Sequence, residues 1–209
     1  MQKETDYAVC EFTIVGGGPE IIYNGGEEAR LDGSTIIEFA AVKLRAYECV
    51  EQFHTFAQFE GIAPEATDFV PCPPFRGVTP SMLLGAPKLE DALKAFHAFT
   101  KGCTLVLRDE WPQEPLKTLR RCGRRYGLRF PHPVARISDV VTAADAIRQY
   151  FRIGKPDILK IAASMQDACA WKDLFAKYAV PFEREDCVGY VHAFAALIAK
   201  LADELDLPF

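Results

Sequence analysis

The residues best suited to binding chemistry are six cations within a short stretch of the chain. They are Lys117, Arg120, Arg121, Arg124, Arg125 and Arg129. Side chains three or four positions apart are neighbours on a helix, so four of these cations can share one face. These four are Lys117, Arg121, Arg124 and Arg125. Such a face can neutralise nucleic-acid phosphates, and Tyr126 and Phe130 could stack on bases. The alternative is a solvated helix face whose charge is offset by Glu110 and Glu114.

Other candidate groups are weaker. Cys187 and His192 are the residue types of a thiol nucleophile and its base. A separation of five on a helix puts them on different faces, which favours a packed cysteine and a hydrogen-bonded histidine. Residues 16–18 (Gly-Gly-Gly) lack the spaced glycine of a dinucleotide loop and the Gly-Lys-Ser/Thr of a phosphate loop, so they indicate a turn. His54 and His97 have no partner at a useful spacing.

Composition limits the class of protein. The chain has 209 residues, 24 Lys plus Arg against 29 Asp plus Glu, a net charge of −5, and 49% hydrophobic residues. These values exclude a disordered or collagen-like chain and favour a single domain over residues 1–209. The acidic surplus is compatible with metal ions held by carboxylates.

The sequence also limits the location of the protein. There is no bilayer-length apolar run, no signal-peptide core at the start, and no Cys-x-x-Cys motif among the seven cysteines. We therefore expect a cytoplasmic protein without a membrane partner.

Periodicity predicts an alternating series of elements. Residues alternating in polarity, or short apolar runs, predict strands at 7–14, 35–44, 49–59, 103–107 and 134–138. The six glycines between positions 16 and 33 predict a loop. Helical spacing, with an N-cap at Thr79, predicts helices at 80–85, 88–101, 115–126, 143–151, 158–178 and 187–205. This order predicts an α/β protein in which a mixed sheet is flanked by helices.

Two runs in this series are distinctive: residues 36–42 (IIEFAAV) in a predicted strand, and residues 77–87 (GVTPSMLLGAP) at a turn that leads into a helix. They resemble the second strand, and the threonine-glycine-isoleucine-threonine turn with its following helix, of the DnaQ-like three-prime to five-prime exonucleases. These form the DEDD superfamily with a ribonuclease H-like fold. The resemblance covers residues 7–201 and is closest over 34–107. It implies a mixed five-stranded sheet, with three antiparallel strands and then two parallel ones, flanked by helices.

The family's chemistry uses four carboxylates that hold two magnesium ions and one histidine that acts as general base. By this resemblance, the acids of the first motif, Asp-x-Glu, fall on Glu11 and Thr13. The aspartate of the second motif falls on Gln113. In the third motif, Cys187 takes the place of the histidine and His192 that of the last aspartate. One carboxylate of four remains, so we expect magnesium to bind weakly at Glu11 or not at all.

The resemblance therefore predicts a catalytically degenerate exonuclease fold that serves as a nucleic-acid- or protein-binding module and needs no cofactor. The partners it implies are single-stranded nucleic acid or a protein assembly such as a polymerase or nuclease. The alternative is an active, divergent three-prime to five-prime exonuclease with Mg or Mn in a rebuilt site. The residues available to such a site are Glu11, Asp109, Glu110, Glu114, Asp186 and His192.

Overall fold

The structure is a computed structural model that describes residues 6–15, 21–24, 27–30, 35–58, 78–108, 115–137 and 168–204. None of the helices in these stretches has the length and apolar character that a membrane crossing requires. The strands are β1 (Tyr7–Val15), β2 (Ile21–Asn24), β3 (Glu27–Arg30), β4 (Thr35–Arg45), β5 (Glu48–Phe56), β6 (Thr104–Leu107) and β7 (Val134–Arg136). The helices are α1 (Pro80–Leu84), α2 (Leu89–Phe99), α3 (Pro115–Arg125), α4 (Ala168–Lys177) and α5 (Cys187–Glu204).

Five of the strands form one mixed sheet, in the order β5-β4-β1-β6-β7. β1 pairs antiparallel with β4, and β4 pairs antiparallel with β5. On its other edge β1 pairs parallel with β6, which in turn pairs parallel with β7. The predicted α/β architecture, with three antiparallel strands followed by two parallel ones, is therefore confirmed.

The turn between β4 and β5 is as short as a hairpin allows. Arg45 pairs with Glu48, so two residues, Ala46 and Tyr47, make the connection. Both have positive φ, 48° and 63°, as a type I′ turn requires at its two central positions. The Tyr47 ring stacks on Tyr7, with 6.2 Å between ring centroids. This contact ties the turn to the start of β1.

The segment at 16–33 differs from the loop that its composition predicts. β2 and β3 form a separate two-stranded hairpin, with Asn24 paired to Glu27. The loop prediction is therefore wrong at 21–24 and 27–30. Three β-prone residues (Ile-Ile-Tyr, 21–23) precede a Gly-Gly pair, the composition of a two-residue hairpin connection. The high glycine content of the whole segment concealed this local pattern.

The other predicted elements match closely, apart from their ends. The helix predicted at 88–101 is α2, that at 115–126 is α3, and that at 187–205 is α5. The third predicted strand runs from Glu48 to Phe56 rather than from 49 to 59. The helix predicted at 143–151 and the first part of that at 158–178 lie outside the described residues.

The sheet is covered by helices on both faces. Side chains that alternate along a strand point to opposite faces. Val9 and Val42 point to the layer formed by α4 and α5, where they pack with Phe194. Phe12 points to the opposite layer, formed by α2 and α3, with its ring centroid 5.4 Å from that of Phe96. Because both faces are covered, a polar side chain on β1 must find its partner inside the protein.

The N-terminus of α5 is held by two close contacts. The Gly189 backbone N–H donates to Asp186 Oδ1 at 2.7 Å, an N-cap bond, and the Asp186 carboxylate also pairs with Arg184. A methyl group on Gly189 would lie 2.0 Å from the Arg184 carbonyl oxygen. The first turn of α5 therefore packs directly on the backbone that precedes it. These contacts set the position of Cys187, the first residue of the helix.

Candidate functional site

Three polar side chains lie inside the layer between the sheet and α5. Glu11 and Thr13 share the face of β1 that also carries Val9, and Glu38 of β4 is the cross-strand partner of Thr13. The exposed fractions of Glu11, Thr13 and Glu38 are 4%, 6% and 3%. Burial of this kind is costly unless each polar group is satisfied. Their partners therefore determine what the site can do.

Glu11 is paired with a cation. The parallel register places Cys10 beside Leu107, so the next residues, Glu11 and Arg108, become neighbours at the end of β6. Arg108 Nη2 donates to Glu11 Oε1 at 2.9 Å. The guanidinium carbon also lies 4.7 Å from the centroid of the Tyr190 ring on α5, within cation–π range. The negative charge of Glu11 is thus compensated inside the protein.

Thr13, Glu38, His54 and Cys187 form a second chain of polar contacts. The Thr13 hydroxyl donates to Glu38 Oε2 at 2.6 Å, and His54 Nε2 lies 3.0 Å from Glu38 Oε1. Cys187 Sγ lies 3.0 Å from Thr13 Oγ1. A hydroxyl has one proton, which Thr13 gives to Glu38, so the Cys187 thiol donates to Thr13. Each carboxylate oxygen of Glu38 thus has a hydrogen-bond partner, Thr13 for Oε2 and His54 for Oε1.

The structure brings some of the predicted catalytic positions together and separates others. Thr13 and Cys187 are in contact, and Glu11 lies two residues from Thr13 on the same strand face. His192 is exposed on α5, since five positions turn a helix side chain about 140° away from Cys187. It does not join the buried group. Gln113 lies outside the described residues.

The acids that the alternative site would need are only partly described. Asp186 is described, but its carboxylate caps α5 and pairs with Arg184. Asp109, Glu110 and Glu114 lie outside the described residues.

The described residues do not fit a two-metal site. Mg²⁺ and Mn²⁺ need several oxygen ligands whose negative charge offsets their own. Here Glu11 is bonded to Arg108, and Glu38 is bonded to Thr13 and His54. Within the part of the chain that the structure describes, no three His, Cys, Asp or Glu side chains gather where they could hold a metal ion.

Sequence reasoning missed Arg108, Glu38 and His54. His54 had no partner at a useful spacing, but in the structure it lies one strand away from Glu38. Two signals were present. Glu38 is the lone acid in the apolar run of residues 36–42, and Arg108 directly follows a buried strand. The partners of Glu38 and Arg108 could be identified only once the pairing register of the strands was known.

The second candidate site is the outer face of α3. Its buried residues point to the sheet and are Thr118, Leu119, Cys122 and Gly123. The cations occupy the opposite side, and at 100° per residue they span an arc of about 140°. Those that are exposed are Lys117, Arg120, Arg124 and Arg125, and Arg121 is half-buried. We call Lys117, Arg120, Arg121, Arg124 and Arg125 the basic face of α3.

Of the two aromatic residues beside this face, Phe130 is not available as expected. Phe130 is 3% exposed and packs on Phe96. It also covers Gly123, where a methyl group would lie 2.7 Å from the Phe130 ring. Tyr126 packs partly buried against the same cluster. The expectation that Phe130 stacks on bases is wrong, because its ring completes the core beneath α3.

No protein-family model matches the sequence, and no curated protein matches it either. Solved structures do match. The nuclease domain of 3'hExo, a DEDDh family member bound to rAMP, aligns with a TM-score of 0.65 at 14% identity, over 97% of this chain and 94% of that one. A 3'-exonuclease solved for recognition of the histone mRNA stem-loop aligns with a TM-score of 0.55 at 15% identity, over 97% and 63%.

The same fold recurs within longer enzymes. E. coli exonuclease I in complex with a dT13 oligonucleotide aligns with a TM-score of 0.60 at 14% identity, over 96% of this chain and 41% of that one. This chain thus spans about two fifths of exonuclease I and nearly all of the 3'hExo nuclease domain. Structural alignments of this quality establish the fold, but identities this low leave the activity open. The chain has the ribonuclease H-like fold of the DnaQ-like DEDD exonuclease domains.

Proposed function

We propose that this chain uses the DEDD exonuclease fold to bind nucleic acid without hydrolysing it. The observation that carries the proposal is the internal compensation of Glu11 by Arg108, both buried, at 2.9 Å. Two-metal hydrolysis needs carboxylates that are free to hold cations. Releasing Glu11 to a metal ion would leave the Arg108 guanidinium buried without its anion, which is strongly unfavourable.

The basic face of α3 supports nucleic acid as the ligand. Arginine forks match the geometry of phosphate oxygens and can bind them in pairs. The neighbouring Phe130 ring is buried, so it is not free to stack on bases, and the proposal rests on phosphate contacts by the basic face of α3. Two proteins of similar fold were solved for histone mRNA stem-loop recognition and with dT13, which supports nucleic acid as the ligand. A polymerase or nuclease assembly as partner remains a prediction from the family resemblance.

Binding to single strands should follow the salt law for phosphate contacts. Contact by Lys117, Arg121, Arg124 and Arg125 gives a slope of log K against log salt of about −3, from about −0.7 per contact. Replacing Arg124 and Arg125 by Ala should make the slope shallower by about 1.4. Fluorescence anisotropy of short labelled DNA and RNA strands, between about 50 and 200 mM NaCl, measures this slope.

The matched control is the double variant Lys172→Ala/Lys177→Ala. Both lysines are exposed on α4, in the layer on the other side of the sheet. It should bind as the unmodified protein does. Equal losses in both double variants, or no salt-sensitive binding at all, would contradict the proposed surface.

Hydrolysis is tested separately. We expect no shortening of end-labelled single-stranded DNA or RNA in millimolar Mg²⁺ or Mn²⁺. Shortening that disappears in Glu11→Gln would instead support the alternative, an active divergent exonuclease that uses Mg or Mn. Protein carrying Glu11→Gln must be shown by circular dichroism to be folded.

The proposal includes the predicted cytoplasmic location. The support comes from the sequence: an odd number of cysteines without a Cys-x-x-Cys motif suits a reducing compartment.

A further inference from the structure

The Arg108 guanidinium is held by its neighbours as a cation is held in a binding site. Arg108 Nη2 lies 2.9 Å from Glu11 Oε1. The guanidinium carbon lies 4.7 Å from the centroid of the Tyr190 ring. A carboxylate and the face of an aromatic ring both attract positive charge. Glu11 on β1 and Tyr190 on α5 therefore hold the same cationic group from two directions.

The surroundings of this pair leave it little contact with water. The recess beside it is too narrow to hold a water molecule and is lined by Cys10, Phe12, Leu107 and Pro115. The exposed fractions of Glu11 and Arg108 are 4% and 5%. A carboxylate removed from water in this way is costly to keep ionised unless it is paired or hydrogen-bonded, and Arg108 supplies a paired cation. The parallel register of β1 and β6 delivers that cation as the residue after Leu107.

We infer that the guanidinium of Arg108 is the built-in cation of this site, and that it gives Glu11 the charge compensation that metal ions give to carboxylates in two-metal nucleases. The stability of the protein then does not depend on divalent cations. When Arg108 is shortened, the vacated site takes up a small cation from solution. A planar guanidinium suits it best, because it can pair with the carboxylate and stack on Tyr190. The inference is independent of nucleic-acid binding by α3.

The test is cation rescue of Arg108→Ala, measured by thermal denaturation. The variant is titrated with methylguanidinium chloride, with MnCl₂, and with NaCl at matched ionic strength. We expect a lowered Tm that methylguanidinium raises by about 3–6 °C at ten times its fitted dissociation constant, with no rise in NaCl. The Tm of the unmodified protein should not change with MnCl₂.

The matched control is the double variant Glu11→Gln/Arg108→Ala, which lacks the carboxylate and should show no rescue. The inference is overturned if neither cation raises the Tm of Arg108→Ala, or if the double variant responds equally. It is also overturned if MnCl₂ raises the Tm of the unmodified protein and Glu11→Gln abolishes that rise. If Arg108→Ala is unfolded at the start, recovery of its far-ultraviolet circular dichroism with methylguanidinium supports the inference, and no recovery overturns it.

Discussion

Gly189 lies in the first turn of α5, and its replacement tests how closely that turn packs against the backbone of Arg184. Alanine normally stabilises a helix interior relative to glycine by about 0.5–1 kcal/mol. At this position a Cβ would lie 2.0 Å from the carbonyl oxygen of Arg184 and 2.8 Å from its carbonyl carbon. Both are backbone atoms, so no side-chain rotation relieves the clash. Overpacking of this kind costs about 1–3 kcal/mol, so we expect Gly189→Ala to lower the free energy of unfolding by about 1–2 kcal/mol.

Urea denaturation measures the effect, and Gly85→Ala is the matched control. Gly85 has a φ of −87°, and no atom lies within 4 Å of the position that a Cβ would take there, so its replacement should leave stability unchanged or slightly higher. Hydrogen exchange of the amides at the start of α5 should be faster in Gly189→Ala, because the displaced helix start weakens the contact between Cys187 and Thr13. A Gly189→Ala protein as stable as the unmodified one, or more stable by the helix-propensity increment, would refute the close packing of α5 on Arg184.

Three further expectations follow from local features. Ala46→Gly should raise the free energy of unfolding in urea by up to about 1 kcal/mol, because glycine adopts a φ of 48° without Cβ strain; a decrease would contradict the left-handed turn. Among the described cysteines Cys49 is the exposed one, so mass spectrometry should find it labelled first by maleimide, whereas Cys10, whose thiol pKa is raised by burial, should react only on unfolding. Burial lowers the pKa of His132 below its ordinary value of 6.5, so the folded protein takes up this proton less readily than the unfolded chain, and the free energy of unfolding should fall as the pH drops below about 6.5. His132→Gln should flatten that part of the profile in urea denaturation, and an unchanged profile would exclude this origin.

Much of the fold could be predicted because its signals are local. Alternation over 7–14 and 35–44 identified the two central strands, and the apolar stripe of α2 gave its length. The hairpin of β2 and β3 was missed because the glycines around it carry the signal of a loop. The burial of Phe130 was missed for a different reason: its packing on Phe96 and Gly123 depends on how α2 and α3 meet.

The candidate site could be predicted only in part, because its contacts are long-range. Family spacing located Glu11 and Thr13, but Arg108 is about a hundred residues from Glu11 along the chain, and Cys187 is 174 positions from Thr13. No local pattern links such pairs before the strand register is known. The family spacing assigned Cys187 and His192 to one motif, and helix geometry correctly predicted that their side chains lie on different faces of α5.

The hydrogen bond between Thr13 and Glu38 constrains the mutational paths open to this chain. Thr13→Glu would add an acid to this face of β1, but it would set a second carboxylate against buried Glu38, where the present atoms are 2.6 Å apart. Like charges in a site of low dielectric repel strongly, so this step alone would destabilise the protein. Cys187→His would need room at a fully buried position. The effects of substitutions at these buried positions are thus coupled, so a metal centre engineered here would need Thr13, Arg108 and Cys187 to change together and not one at a time.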